Sequence, residues 1–170
     1  KVRSLGRKRT SFINEGGSIY QGRATSDDVD AFLDLQQMRA RSSEGKLDAF
    51  IDDDAYCSFL RELATKEQLG VVRMDIDSHT IGTMLFHHSA GDNSSISIIN
   101  QGFDPQYSHY APGFVMQIEL IQSGHRLGVR TVDLLKGDEP YKKEFSNRDL
   151  RLFKYIEPLR DMSRIEWIKY

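Results

Sequence analysis

The run of residues 101–145 constrains the fold of this chain more than any other stretch. It reads as a strand, a turn, a helix, a second strand and a second turn. The first turn, Tyr110-Ala111-Pro112-Gly113, opens the helix straight after a strand. Proline suits the first helical position, where its missing N–H would be unpaired in any case. The helix carries Phe114, Ile118 and Ile121 on one face, and Gly128 stands where a left-handed stop belongs. The second turn, Gly137-Asp138-Glu139-Pro140-Tyr141-Lys142, sets a phenol beside an ammonium. Both groups are usable in proton transfer.

Three strands are expected ahead of this unit, over 70–75, 80–88 and 94–102. Asp77-Ser78-His79 and Ala90-Gly91-Asp92-Asn93 between them carry hairpin residues. That is an antiparallel meander. Further upstream the pattern predicts a basic helix over 2–14, ended by Gly16-Gly17, and a strand over 18–25. Ser26 is expected to cap the next helix, with Asp27 and Asp28 in its first turn and Val29, Phe32, Leu33 and Gln36 at helical spacing. A loop over 42–48 leads to a further helix capped by the triplet 52–54, with Tyr56, Phe59, Leu60 and Leu63 on its apolar face. Downstream, a buried-type strand over 130–135, a short helix over 140–145 and a last strand over 150–156 are expected. After the leading helix the order is β-α-α-β-β-β-α-β-α-β. One domain of 170 residues accommodates it: a leading helix (1–17), a core (18–156) and a tail (157–170).

Composition narrows the function classes. A net charge of −2 gives no general field for nucleic acid. Lys1, Arg3, Arg7, Lys8 and Arg9 nonetheless crowd the start, either as a solvated helix face, the favoured reading, or as phosphate contacts. Cys57 stands alone in an apolar helical pattern and reads as a packing residue, compatible with a reducing cytoplasm. No apolar run reaches the roughly 18 residues that span a bilayer. The aspartate triplet lacks calcium-loop spacing and the histidines lack metal-ligand spacing, so no metal is assigned. The chain opens on Lys rather than Met, and a longer parent protein is expected.

The element order resembles the GNAT acyltransferase fold, an α/β fold whose mixed, mainly antiparallel sheet is flanked by helices. The motif wording is narrower. Gly102-Phe103-Asp104-Pro105, then Tyr110-Ala111-Pro112-Gly113, Gly128, Asp133 and Gly137-Asp138-Glu139-Pro140-Tyr141-Lys142 resemble the CelD/FemAB-type branch, acetyltransferases of polysaccharide biosynthesis. The basic helix and Gly16-Gly17 are similar to the segment leading into that branch's C-terminal module. The likeness spans about residues 1–156 and is dense from 100 to 145. It implies a preceding module of the same chain, absent from this sequence, and an acceptor cleft formed between two halves.

The resemblance also implies a site. The acyl donor, acetyl-CoA or another acyl-CoA, would enter where the fourth and fifth strands splay, with its pyrophosphate at the loop and N-terminus of the intervening helix. Tyr110, Pro112, Gly113, Phe114 and Val115 would bind it, the last three through free N–H groups, and Gly113 would permit close backbone approach. The helix dipole adds about 0.3–1 kcal/mol toward an anion. Pro112 is equally an ordinary helix start, and Gly113 could be incidental. The usual GNAT coenzyme-A pattern, Gln/Arg-x-x-Gly-x-Gly/Ala, does not stand before this helix. Tyr141 would protonate the leaving thiolate or pack, and Lys142 would stabilise charge at the transferred carbonyl; a core Tyr and a solvated Lys are the alternative. His109 is the candidate imidazole base. Asp104, Asp133 and Glu139 are candidates for receiving the acceptor amine and its proton, although Asp104 also reads as a turn residue.

The function implied is transfer of an acyl group to an amine on an amino sugar or a related cell-envelope or polysaccharide precursor, in the cytoplasm, by direct attack without an enzyme-bound acyl group. A Fem-type enzyme using aminoacyl-tRNA, which the basic first helix would serve, and a non-catalytic binding module on the same fold are the alternatives.

Overall fold

The computed structural model describes residues 2–42, 53–91, 94–135 and 142–148. The chain divides into two compact units, Lys1–Gly137 and Asp138–Tyr170. In the first, α1 (Val2–Asn14) leads into β1 (Ser18–Arg23), then α2 (Ser26–Ser42) and α3 (Asp54–Thr65). The meander β2 (Gly70–Ile76), β3 (His79–Ser89) and β4 (Ser95–Phe103) follows, then a 3-10 turn over Pro105–Tyr110, α4 (Pro112–Arg126) and β5 (Thr131–Asp133). In the second unit the described helix is α5 (Lys142–Phe145), closed by Ser146 N–H donating to the Lys142 carbonyl at 2.8 Å.

The five strands form one sheet in chain order. Pairings from β1 to β4 are antiparallel, and β5 joins β4 in parallel. The expected mixed, mainly antiparallel sheet flanked by helices is therefore present. Alternating side chains supply its two cores, as the period of a strand requires. Val72, Met74, Met84, Phe86, Ile96 and Ile98 meet Phe12 of α1 and Val115, Met116 and Leu120 of α4. Val71 and Leu85 meet Val29, Phe32 and Leu33 of α2 and Leu60 and Ala64 of α3. The β2–β3 turn places Asp77 and Ser78 at φ +49° and +63°, both left-handed, as a tight hairpin needs.

Three expectations change. The cap of α2 is Thr25 rather than Ser26: Thr25 N–H and Oγ1 donate to Asp28 at 2.9 and 2.8 Å, and Asp28 N–H donates back to Thr25 Oγ1 at 3.2 Å. Reciprocal bonding three residues apart is a capping box, and Ser26 lies inside it. The 130–135 strand shrinks to Thr131–Asp133, with both ends exposed, because only its start pairs with β4. A 3-10 turn, unforeseen, separates β4 from α4. The 42–48 loop beyond Ser42 and the last strand lie outside the described residues.

Asp28 is 2% exposed and accepts Arg73 Nη1 at 2.6 Å, while Arg73 also binds Asp75 at 2.9 Å. This ties the start of α2 to the sheet. Arg73 keeps a third of its side chain in solvent, which tempers the pair's worth. Asp28→Ala is expected to lower stability by about 2–3 kcal/mol through the lost cap and the lost partner; urea denaturation measures it.

Candidate active site

The site begins with a defect in strand pairing. β4 runs beside β3 along its length, yet only Ser95, Ile96 and Ser97 pair with β5, opposite Thr131, Val132 and Asp133. Register also slips where Leu85 faces Asn100 and Phe86 faces Ile98, which leaves Ile99 without a partner of its own. Such an irregularity bends a strand and turns its edge. Beyond Ser97, β4 therefore has an edge with no strand against it among the described residues. One edge carbonyl is taken by a side chain: Gln36 Nε2 of α2 donates to Gln101 O at 2.7 Å.

The turn after β4 is tightly specified. Asp104, largely buried, accepts Gln106 N–H at 2.9 Å through Oδ1, its own N–H donates to Ile81 O at 2.9 Å, and His79 Nε2 lies 3.6 Å from Oδ2. Asp104 thus serves as the turn residue its position before proline suggested. Pro105–Tyr110 then winds as a 3-10 turn into Ala111, which sits at φ +53° and ψ +57°. That conformation favours glycine. With Ala111 as its cap, α4 starts at Pro112.

The free N–H groups expected at this start are fewer than anticipated. Phe114 and Val115 both donate to the Ala111 carbonyl, at 3.0 and 3.1 Å, and Pro112 has no N–H. Gly113 alone of the three has no backbone acceptor among the described residues. A Cβ at Gly113 would lie 2.8 Å from the amide nitrogen of Gln101, so glycine also admits that side chain. Gln117 Nε2 meets Gln101 Oε1 at 3.5 Å, leaving the buried Gln117 Oε1 unpartnered. This polar pair under the helix start went unread in the sequence, where Gln101 and Gln117 belong to no motif.

Tyr110 is 5% exposed. Its hydroxyl donates to Glu15 at the end of α1, and its ring lies edge-on to Phe12 at 5.3 Å. Hydrogen bonding to Glu15, then burial and the charge of the same carboxylate, push the phenol up to about 12. Hydrogen bonds from Ser11 and Tyr110 hold Glu15 below its ordinary carboxylate value. His109 is exposed, with its ring 4.0 Å from that of Tyr110, and its carbonyl accepts Lys8 Nζ at 2.6 Å. Arg9 pairs with Glu119 of α4. Part of the basic helix face thus grips the turn and α4 while Arg9 stays exposed.

Asp133 closes the short β5 at the fork, exposed, and accepts Leu135 N–H at 2.7 Å. The structure brings Asp104, His109, Tyr110 and residues 112–115 together at the end of β4. Lys142 opens α5 in the second unit. Tyr141 and Glu139 lie outside the described residues. Cys57 lies on α3, against the other face of the sheet. Among the described residues no His, Cys, Asp and Glu group is placed to hold a metal, and no helix is long and apolar enough to cross a membrane.

A family model described as "Acetyltransferase (GNAT) domain" matches residues 1–143. The chain belongs to this family. It is a GNAT-type N-acyltransferase, and acetyl-CoA is the cosubstrate of such enzymes. Solved structures agree on the fold. A GCN5-related N-acetyltransferase from Ralstonia eutropha JMP134 is 13% identical, with a TM-score of 0.63 over 83% of this chain and 99% of that one. A protein from Clostridium acetobutylicum described as a predicted acetyltransferase, solved with acetyl-CoA, is 11% identical, with a TM-score of 0.59 over 82% and 96%. An aminoglycoside acetyltransferase from an uncultured soil metagenomic sample, bound to sisomicin, is 14% identical, with a TM-score of 0.59 over 88% and 99%. No curated protein matches the sequence. Set against the coenzyme-A pattern, Ser108-His109-Tyr110-Ala111-Pro112-Gly113 has the right spacing, with Ser108 for Gln/Arg and Ala111 for the first glycine. Counting back from Gly113 would have found it.

Two outcomes follow. Ala111→Gly is expected to stabilise the chain by about 0.5–1 kcal/mol, since relief of the left-handed alanine exceeds the extra chain entropy; chemical denaturation tests it. Glu15's contribution is present above pH 4.5 and lost as pH falls through its depressed folded value. Tyr110's is present below pH 10 and lost as pH rises toward 12. Glu15→Gln should flatten the acid limb of a melting-temperature profile, and Tyr110→Phe the alkaline limb.

Proposed function

We propose that this GNAT enzyme transfers an acyl group from acyl-CoA to a primary amine on an amino sugar or a related cell-envelope or polysaccharide precursor, as a member of the CelD/FemAB-type branch. The observation that carries the donor side is a β4 edge that, among the described residues, has no strand against it beyond Ser97 and ends at a helix start whose Gly113 N–H has no acceptor. In this reading the donor amides run along that edge and the pyrophosphate meets Gly113 at the positive end of α4. The order of motifs through residues 102–142 supports the branch, and the fold neighbour bound to sisomicin supports a polar amine acceptor.

The acceptor amine, deprotonated by His109 directly or through water, attacks the thioester carbonyl. A C–N bond forms, the C–S bond breaks, and the thiolate leaves with a proton from Tyr141. Lys142 offsets the negative charge that develops on the carbonyl oxygen. Asp104, Asp133 and Glu139 are assigned to the acceptor side, although Asp104 and Asp133 also have backbone bonds to keep. A preceding module of the same chain would complete the acceptor cleft, and the lone Cys57 is compatible with a reducing cytoplasm.

Acetyl-CoA or CoA at about 100 times its dissociation constant should add ~2.7 kcal/mol and raise the melting temperature by several degrees. Gly113→Trp should abolish the shift. No shift with either ligand would count against donor binding by this chain. With an amine acceptor, Lys142→Ala should lower kcat by about 10²–10³-fold without changing the melting temperature; unchanged turnover would remove Lys142 from the mechanism.

A further inference from the structure

We propose that Glu15 is a positioning residue for the acyl donor: through the Tyr110 hydroxyl it holds the 3-10 turn and the left-handed Ala111 that set the start of α4. The inference rests on the reading that the donor pyrophosphate lies at Gly113.

Ala111 occupies a backbone conformation that costs an L-residue energy, so surrounding contacts must over-determine it. Those contacts come from α1. Tyr110, the residue just before Ala111, is buried, and a buried hydroxyl needs a partner. Glu15 supplies it. One residue further back, Lys8 of the same helix donates to the His109 carbonyl at 2.6 Å. Behind the turn, Phe12 braces the Tyr110 ring. Glu15 is itself fixed: Ser11 Oγ donates to Oε1 at 2.6 Å, which leaves Oε2 for the phenol, and Glu15 N–H donates to Ser11 O at 3.0 Å. Arg9 also joins α1 to α4 through Glu119.

The consequence is specific. With Glu15 truncated, the Tyr110 hydroxyl loses the carboxylate that accepts from it. The turn can then relieve Ala111 by unwinding, and the one unpaired N–H at the helix start loses its fixed place. A carboxamide at position 15 still accepts from the phenol, so the conservative variant should preserve the geometry. A role in general stability alone predicts no such selectivity.

The test compares Glu15→Ala, Glu15→Gln and the surface-pair control Arg23→Ala in the full chain. Amide hydrogen exchange reads the turn in the ligand-free protein, and calorimetry with CoA reads the donor site. Glu15→Ala is expected to speed exchange by about tenfold at residues 107–115 while leaving α3 unchanged. CoA affinity should weaken by about tenfold. Glu15→Gln and Arg23→Ala should stay within about threefold of the parent on both measures. Unaltered exchange in Glu15→Ala, or faster exchange with unaltered CoA affinity, would overturn the proposal. A parent chain that fails to bind CoA at all would instead sink the donor reading on which it rests, a failure visible before any variant is made. If Glu15→Ala does not fold, Tyr110→Phe removes the same bond and is held to the same two readouts.

Discussion

The short pairing between β4 and β5 is the constraint from which the site follows. A strand inside a sheet has its backbone groups paired on both edges, and buried groups left unpaired are costly. Here three residues of β5 cover the beginning of β4, and the remainder of that edge must find other partners. Gln36 reaches over from α2 to take one carbonyl. The rest is a ready template for an extended ligand with amides of its own, which is the shape of a pantetheine arm. The unpaired Ile99 lies just past the last β5 contact, where the strands part.

The end of β4 is organised by polar groups with little freedom. Asp104 pins the entry of the turn to β3 and caps its first residues. Tyr110 pins the exit to α1. Between these fixed points the chain has few conformations left, and Ala111 is driven into the left-handed region as a result. The outcome is a helix start with its first turn already closed on the Ala111 carbonyl, leaving Gly113 as the single open donor of the three expected. The nearby Gln101 and the buried Gln117, whose Oε1 is unpartnered, add polar groups to a helix–sheet interface that is otherwise apolar.

Much of the fold was legible because each local signal agreed with its neighbours. Asp77-Ser78 marked a hairpin, Gly128 at φ +76° stopped α4, and alternating Val, Ile and Met residues laid out the meander. The misreadings arose where the deciding partner was remote or ambiguous. Ser26 and Thr25 are both good caps, and only the reciprocal bond to Asp28 chooses between them. The stretch 130–135 reads as a buried strand, but among the described residues its pairing with β4 stops at Asp133. Tyr110 stands in the loop motif, and only the fold shows its burial against Phe12 and its bond to Glu15.

Among the described residues, sequence alone determined most of the element types, the meander and the helix start at Pro112, since these depend on periodicity and on the backbone preferences of proline, glycine and capping residues. Tertiary structure decided which edge of the sheet stays open, which N–H at the helix start is unpaired, and that a helix almost a hundred residues earlier steadies the turn. Those features arise from contacts between segments far apart in the chain. No local pattern encodes them, because the partner that decides each one lies in a distant segment.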